Sequence, residues 1–413
     1  MTMITSWLRI HYTLGGRAAF LPMYEKYPDP QALCRALENR AEERGIMRLI
    51  APERFFAYDE AQARATEQLC RENGWRIVPF TSEYYPALLK KIKDPPAVLF
   101  AYGDLAILKN PRMAAVVGTR TAARRSADAA VLLGEALSLA GVAVVSGGAN
   151  GIDSAASYGA ALAESAGSVT VQGRGFDPAH DAEAPAPNAV YVTELFPGLS
   201  GRAFNFPNRN RLISGMSAGT AVLEAGGKSG SLITARDAMK QGRPVFVPAS
   251  ALLQSPGCAA LAASGAKEIV RPQDCIGALF PELPASEASL TPLDEAPVGR
   301  YEQSFYGLPV RAAKGPAADD PVAEKPAENL PAEPPRSPAV GTARTAVAAL
   351  PGDLSRDARV VAEAVRNGPL YVDQLIETLG LSAAEVQIAV TELELEGLIL
   401  VAPGGKIVWN NIF

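Results

Sequence analysis

Along the first seventy-five residues, apolar positions recur at helical spacing. Asp29-Pro30 opens a run over residues 31–44, and Pro52 opens another that reaches about Glu72. Proline suits a first helical turn, where its missing N–H has no partner to lose. From Trp75 the rhythm shortens. Met113–Val117 predicts a strand followed by Gly118-Thr-Arg120, and residues 128–140 predict a helix that ends at Gly141. Residues 142–145 predict a second strand, then Ser146-Gly-Gly-Ala-Asn-Gly-Ile-Asp153 and another helix. Ser168–Val171 and residues 190–194, 220–223 and 244–247 continue as strands, with a helix over 232–241. Strands alternating with helices through short joins predict an α/β fold with a doubly wound, mostly parallel sheet.

The pattern breaks again over residues 281–350, where proline and alanine dominate. Such a segment buries too little apolar surface to offset its ordering entropy, which predicts an extended linker. Beyond it, residues 351–413 read helix, helix, helix, hairpin. Ser382-Ala-Ala-Glu385 is a capping box, and residues 398–401 and Lys406–Trp409 flank a Pro-Gly-Gly turn. Three helices and a hairpin in so short a span fit a winged helix. The chain therefore divides into a small helical domain of the SAM or helix-hairpin kind (1–74), the α/β domain (75–280), the linker and the winged helix.

Composition narrows the class. No apolar run approaches a membrane span, and the first sixteen residues lack the continuous apolar core of a signal peptide, so a cytoplasmic location is expected. Cys34, Cys70, Cys258 and Cys275 are scattered, without metal-ligand spacing, which predicts buried thiols and neither a bound metal nor a disulfide framework. Net charge is −5, but its distribution says more. Residues 1–280 carry 29 Lys and Arg against 25 Asp and Glu, whereas residues 351–413 carry 4 against 9. The part that could meet phosphate is mildly basic.

Candidate chemistry gathers at two glycine-bearing turns and two further stretches. In Gly118-Thr119-Arg120 and in Ser146, Gly147, Gly148, Asn150 and Gly151, small residues let a ligand approach the backbone, and the following helix starts favour an anion. Such turns also occur in any doubly wound sheet. The spacing is neither that of a dinucleotide fingerprint nor of a P-loop, and no cofactor is expected. A third stretch interleaves Phe204 and Phe206 with Arg209, Asn210 and Arg211. A fourth sets Lys228, Ser229, Gly230 and Ser231 at another helix start. All four follow predicted strands and would share one edge of a parallel sheet. Cations and backbone donors there suit phosphates, and an aromatic could stack on a base, although Phe204 and Phe206 equally suit a core.

These stretches resemble the DprA/Smf family, block by block and in order. The blocks are Val116-Val-Gly-Thr-Arg120, Ser146 to Asp153, Asn205-Phe-Pro-Asn-Arg-Asn-Arg211, Leu223-Glu-Ala and Lys228-Ser-Gly-Ser-Leu-Ile-Thr-Ala235, preceded by Asp94-Pro-Pro-Ala-Val-Leu-Phe. The resemblance implies an extended Rossmann domain that binds single-stranded DNA, forms a homodimer and helps load the RecA recombinase during natural transformation. It also places the dimer face near Met239, Leu261 and Ala262. Asn150 and Asn208 stand where the family usually has Arg, and Ser157 where a His is common.

Two other functions deserve comparison. A nucleotide hydrolase would need a paired acid and base, for which Asp153, Glu194 and Glu224 are the candidates, but the chain has only His11 and His180 and no hydrolase motif. Asp153 just inside a helix start equally suits a cap or a dipole partner. A winged-helix regulator would read a groove with its third helix, yet residues 382–398 carry Glu385, Glu392, Glu394 and Glu396 and no Lys or Arg. An acidic helix repels phosphate and points to a protein contact or a self-regulating role. Deleting residues 351–413 should leave single-strand affinity unchanged or raised; loss of binding by a folded remainder would place the winged helix in the DNA site.

Overall fold

The computed structural model describes residues 2–14, 19–38, 53–181, 185–201 and 205–299, and in the tail 355–366, 370–379 and, discontinuously, 381–409. It forms two compact units, Met1–Asp320 and Pro321–Phe413. Most of the proline- and alanine-rich stretch lies outside the described residues.

The first unit begins with helices α1 (Met3–Leu14), α2 (Phe20–Lys26), α3 (Pro30–Glu38), α4 (Glu53–Phe56) and α5 (Glu60–Glu72). The helix expected from Pro52 is broken in two. Asp59 accepts from the backbone N–H of Gln62 while the Gln62 side chain accepts from Asp59 N–H, and this reciprocal cap restarts the chain as α5.

Strands β1 (Arg76–Pro79) and β2 (Val98–Gly103) then form an antiparallel edge. The remaining strands are β3 (Met113–Val117), β4 (Ala143–Ser146), β5 (Ser168–Val171), β6 (Ala189–Thr193), β7 (Thr220–Val222), β8 (Val245–Pro248) and β9 (Lys267–Ile269). They pair in parallel, and the nine-stranded order is β1-β2-β6-β5-β4-β3-β7-β8-β9. The connecting helices are α6 (Arg124–Leu139), α7 (Ile152–Leu162), α8 (Asn205–Met216), α9 (Ser231–Lys240) and α10 (Pro256–Ala263), followed by α11 (Pro272–Leu279) and α12 (Glu287–Leu290). This is the doubly wound, mostly parallel sheet expected from the sequence.

Side-chain alternation sorts the strands onto two cores. On β3, Met113, Ala115 and Val117 enter one core while Ala114 and Val116 enter the other. The second core lies under α6, α7 and α11. α6 and α7 approach so closely that a Cβ on Gly134 would stand 2.1 Å from the Ala156 carbonyl, and one on Gly159 2.0 Å from that of Val131. The first core also takes in Trp7, Phe20 and Leu33 from the N-terminal helices and Leu212 and Leu232 from α8 and α9. Chain order reverses between β3 and β7, which leaves a crevice at their C-terminal ends.

The second unit holds α13 (Arg356–Arg366), β10 (Leu370–Tyr371), α14 (Val372–Leu379), β11 (Ile399–Ala402) and β12 (Lys406–Trp409), with strand order β10-β12-β11. Ala358, Val361, Val365, Leu375, Val386, Leu393 and Ile407 form its core, as a winged helix requires. Glu385 is exposed; Glu392, Glu394, Glu396, Leu395 and Leu398 lie outside the described residues.

One side chain joins the N-terminal helices to the sheet. His11 on α1 donates from Nε2 to the Glu194 carbonyl at 2.6 Å, beside the Phe100 and Phe196 rings. Burial, with a smaller contribution from the nearby Arg211 charge, lowers its pKa from 6.5 to about 4. Above pH 6.5 the ring is neutral whether the chain is folded or unfolded, and its docking is undiminished. Between 6.5 and about 4 only the unfolded chain takes the proton, so stability falls with pH. The loss should reach about 2 kcal/mol at pH 5. We expect His11→Gln, which keeps an N–H for the carbonyl, to flatten the fall in melting temperature between pH 7 and 5. Equal slopes for the two proteins would show that His11 does not couple docking to pH.

Candidate anion-binding site

The crevice at the β3/β7 switch opens into a cleft of about 790 Å3. Three stretches meet there: Gly118 to Arg120 after β3, the first turns of α8, and Gly226 to Ser231 leading into α9. From Asn205 the stretch with the interleaved aromatics is helical, and that separates the roles of its cations.

Arg209, in the second turn of α8, is buried. Its guanidinium donates to the carbonyl of Gly147 at 2.8 Å and to that of Val171, and its Nε to Asn210 Oδ1 at 3.2 Å. Burial lowers its pKa to about 10, against the pull of Asp153. Asp153, in the first turn of α7, accepts from the N–H groups of Gly118 at 3.2 Å and Gly147 at 2.9 Å. One carboxylate therefore ties the turn after β3 to the turn after β4. Burial raises its carboxyl to about 6, opposed by Arg209 and by the backbone donors. A Cβ on Gly147 would stand 2.9 Å from both Arg209 Nη2 and Asp153 Oδ2, so only glycine fits between the two charges. Gly151 has φ +84°, and a Cβ there would meet the Thr119 carbonyl at 2.4 Å.

These bonds alter what the glycine turns offer a ligand. The N–H groups of Gly118 and Gly147 serve Asp153, and that of Thr119 donates to the Glu224 carbonyl at 2.8 Å. Ser146 is buried and its hydroxyl lies 3.2 Å from that of Ser157; Gly148 and Asn150 are exposed beside the cleft without lining it. Besides Asp153 and Arg209, the polar lining of the cleft includes Arg120, Lys228 and the hydroxyls of Ser229 and Ser231, which lie 2.8 Å apart. Arg120 and Lys228 are exposed, and among the described residues neither has a carboxylate within ion-pair distance. Asn210 fixes the fourth stretch by donating to the Gly230 carbonyl at 3.2 Å. Phe206 lines the cleft at 36% exposure, with the Arg209 guanidinium 5.9 Å from its ring centre. Phe204 lies outside the described residues.

Arg211 is absent from this cleft. Two residues along a helix turn a side chain to nearly the opposite side, and Arg211 instead contacts Glu194 and lies 3.4 Å from Asp94. Glu224 is likewise engaged, accepting from Ala123 N–H at 2.9 Å at the start of α6. Of the three acids considered for catalysis, Asp153 alone lines the cleft. Among the described residues no cluster of three or more His, Cys, Asp or Glu is arranged to hold a metal, and all four cysteines are buried. Of the residues placed near a dimer face, Leu261 is buried in the first core, while Met239 and Ala262 are half-buried against it.

The switch-point cleft belongs to a Rossmann-like domain, and the chain also carries a winged helix. Comparisons with known proteins specify it further. The family model for DNA recombination-mediator protein A matches residues 76–280, and that for the DprA winged helix domain matches residues 344–405. The chain is 36% identical over 229 residues to the DNA processing protein DprA of Bacillus subtilis, spanning 54% of this chain and 75% of that protein. It is 38% identical over 273 residues to a putative DprA of Mycobacterium tuberculosis, spanning 60% and 69%. The X-ray structure of DprA from Streptococcus pneumoniae superposes with a TM-score of 0.54 at 29% identity, covering 69% of this chain and 100% of that one. The chain belongs to the DprA/Smf family of DNA-processing proteins.

Proposed function

We propose that this protein is a cytoplasmic, non-enzymatic mediator that binds single-stranded DNA and, as a homodimer, helps load the RecA recombinase during natural transformation. The observation that carries the DNA reading is the pairing of free cations with an exposed ring in one cleft. Arg120 and Lys228 are left to neutralise phosphates, and Phe206 offers a face on which any base can stack, worth about 1–3 kcal/mol per base. The buried Arg209 and Asp153 hold the floor of the cleft through their bonds to the strand-end backbone. No helix among the described residues is long and apolar enough to cross a membrane. The homodimer would use the surface of α9 and α10, where Met239 and Ala262 are half-buried and Leu253, just before α10, is 98% exposed.

The acidic winged helix gives this reading its regulatory side. With 4 cations against 9 acids in residues 351–413, it suits a protein partner or competition with DNA for the basic cleft. Catalysis is disfavoured because Glu194 is committed to Arg211 and Glu224 to a helix start, so Asp153 has no acid–base partner in the cleft.

The test replaces both free cations. Arg120→Ala combined with Lys228→Ala should weaken single-strand binding equally for all sequences, since phosphate contacts carry no sequence information. The slope of log affinity against log salt should fall by about 0.7 for each phosphate that is no longer neutralised. Unchanged affinity and slope in a folded double variant would remove the cleft from the DNA path.

A further inference from the structure

A second depression, of about 680 Å3, adjoins the first cleft. The two share Pro207 on α8 and Ile233 on α9, so these side chains form a low saddle between them. Beyond the saddle the walls come from the first turn of α8, the C-terminal half of α9 and the segment following a short 3-10 turn at Leu89–Lys91.

The charge in this depression is unevenly used. Arg211 is already committed to Glu194 and Asp94. Asp94 is thereby partly neutralised; burial raises the Asp237 carboxyl, while the nearby charges of Lys240 and Arg211 act in the opposite direction. Lys91, Lys93 and Lys240, in contrast, are exposed, and among the described residues none has a carboxylate within ion-pair distance. Three lysines outside any close ion pair thus line a depression that adjoins the first cleft, with Asp237 near Lys240 as the one further acid beside Asp94 in the lining. Lys91 and Lys93 line one side of the depression and Lys240, at the end of α9, another, so positive charge exceeds negative in its lining and a polyanion would neutralise the excess. Lysine serves this purpose as a mobile point charge, without the fixed fork of an arginine.

We infer that a single strand seated in the first cleft continues over the Pro207–Ile233 saddle into this depression, where Lys91, Lys93 and Lys240 hold the phosphates of the following nucleotides. The inference rests on the DNA reading of the first cleft and extends it to a longer site. Among the described residues no aromatic ring lines the depression, so it would hold backbone and not bases. Its contribution should therefore be electrostatic and appear only with strands long enough to cross the saddle.

The test compares oligothymidylates of about five and about fifteen nucleotides by fluorescence anisotropy over a salt series, using the full chain. Lys91→Ala, Lys93→Ala and Lys240→Ala together should leave the short strand's affinity unchanged. For the long strand they should lower affinity about tenfold and the salt slope by about 2, from about 0.7 per neutralised phosphate. All three lysines are exposed, so an unchanged melting temperature will confirm an intact fold. Wild-type behaviour with both lengths would take the depression off the DNA path. Equal weakening with both lengths would overturn the inference too, since the lysines would then belong to the primary site. The underlying reading fails separately, if Arg120→Ala with Lys228→Ala leaves the short strand's affinity unchanged.

Discussion

The site depends on two opposite charges buried on either side of Gly147. Arg209 enters the protein from α8 and spends its donors on the carbonyls of Gly147 and Val171, at the ends of neighbouring parallel strands. Asp153 enters from α7 and takes the N–H groups of Gly118 and Gly147. Together they join the ends of β3, β4 and β5 to two helices. The two charges also act on each other across Gly147, each opposing the effect of burial on the other. The arrangement explains the glycines more fully than ligand approach alone. Gly147 is small because a side chain would separate the charges, and Gly151 because its φ is positive and the Thr119 carbonyl lies against it.

With the floor held from within, the cleft can leave its ligand-facing charge free. Arg120 and Lys228 stand exposed at its mouth, and the other acids that could neutralise them are engaged elsewhere. Sequence-independent recognition of a flexible polyanion needs this combination: a rigid base, mobile cations at the rim and a ring open to stacking. Rigidity extends to the N-terminal helices, because His11 fastens α1 to the carbonyl of Glu194, whose carboxylate holds Arg211. Arg211 in turn lines the second depression, so the helical region, the sheet edge and the far groove share one chain of contacts.

Much of this was legible in the sequence, and the rest was hidden for identifiable reasons. The central strands from Met113–Val117 to residues 244–247 announce themselves as short apolar runs between glycines, and they occur close to where the pattern put them. The antiparallel edge at Arg76–Pro79 and Val98–Gly103 did not, because prolines and charges crowd its flanks. The winged helix was readable from the order of helices and hairpin in residues 351–413, while residues 382–384 of its capping box and the Pro-Gly-Gly turn at 403–405 lie outside the described residues. The hardest feature was α8. Asn205-Phe-Pro-Asn-Arg-Asn-Arg gives no apolar periodicity from which to assign an element, since its buried residues are Arg209 and Asn210 and not aliphatic side chains. Once it is a helix, the spacing from 209 to 211 separates the two arginines, one under the first cleft and one beside the second. That separation was available from the numbering alone had a helix been assumed.

The central claim, that a single strand lies in the first cleft with a base against Phe206, can be tested without altering the protein. A single-stranded oligonucleotide carrying 5-bromodeoxyuridine, bound and irradiated, forms a covalent link to an aromatic ring it stacks upon, and mass spectrometry then locates the linked residue. The account predicts a principal cross-link at Phe206. Cross-links confined to the winged helix, with Phe206 unmodified, would contradict it.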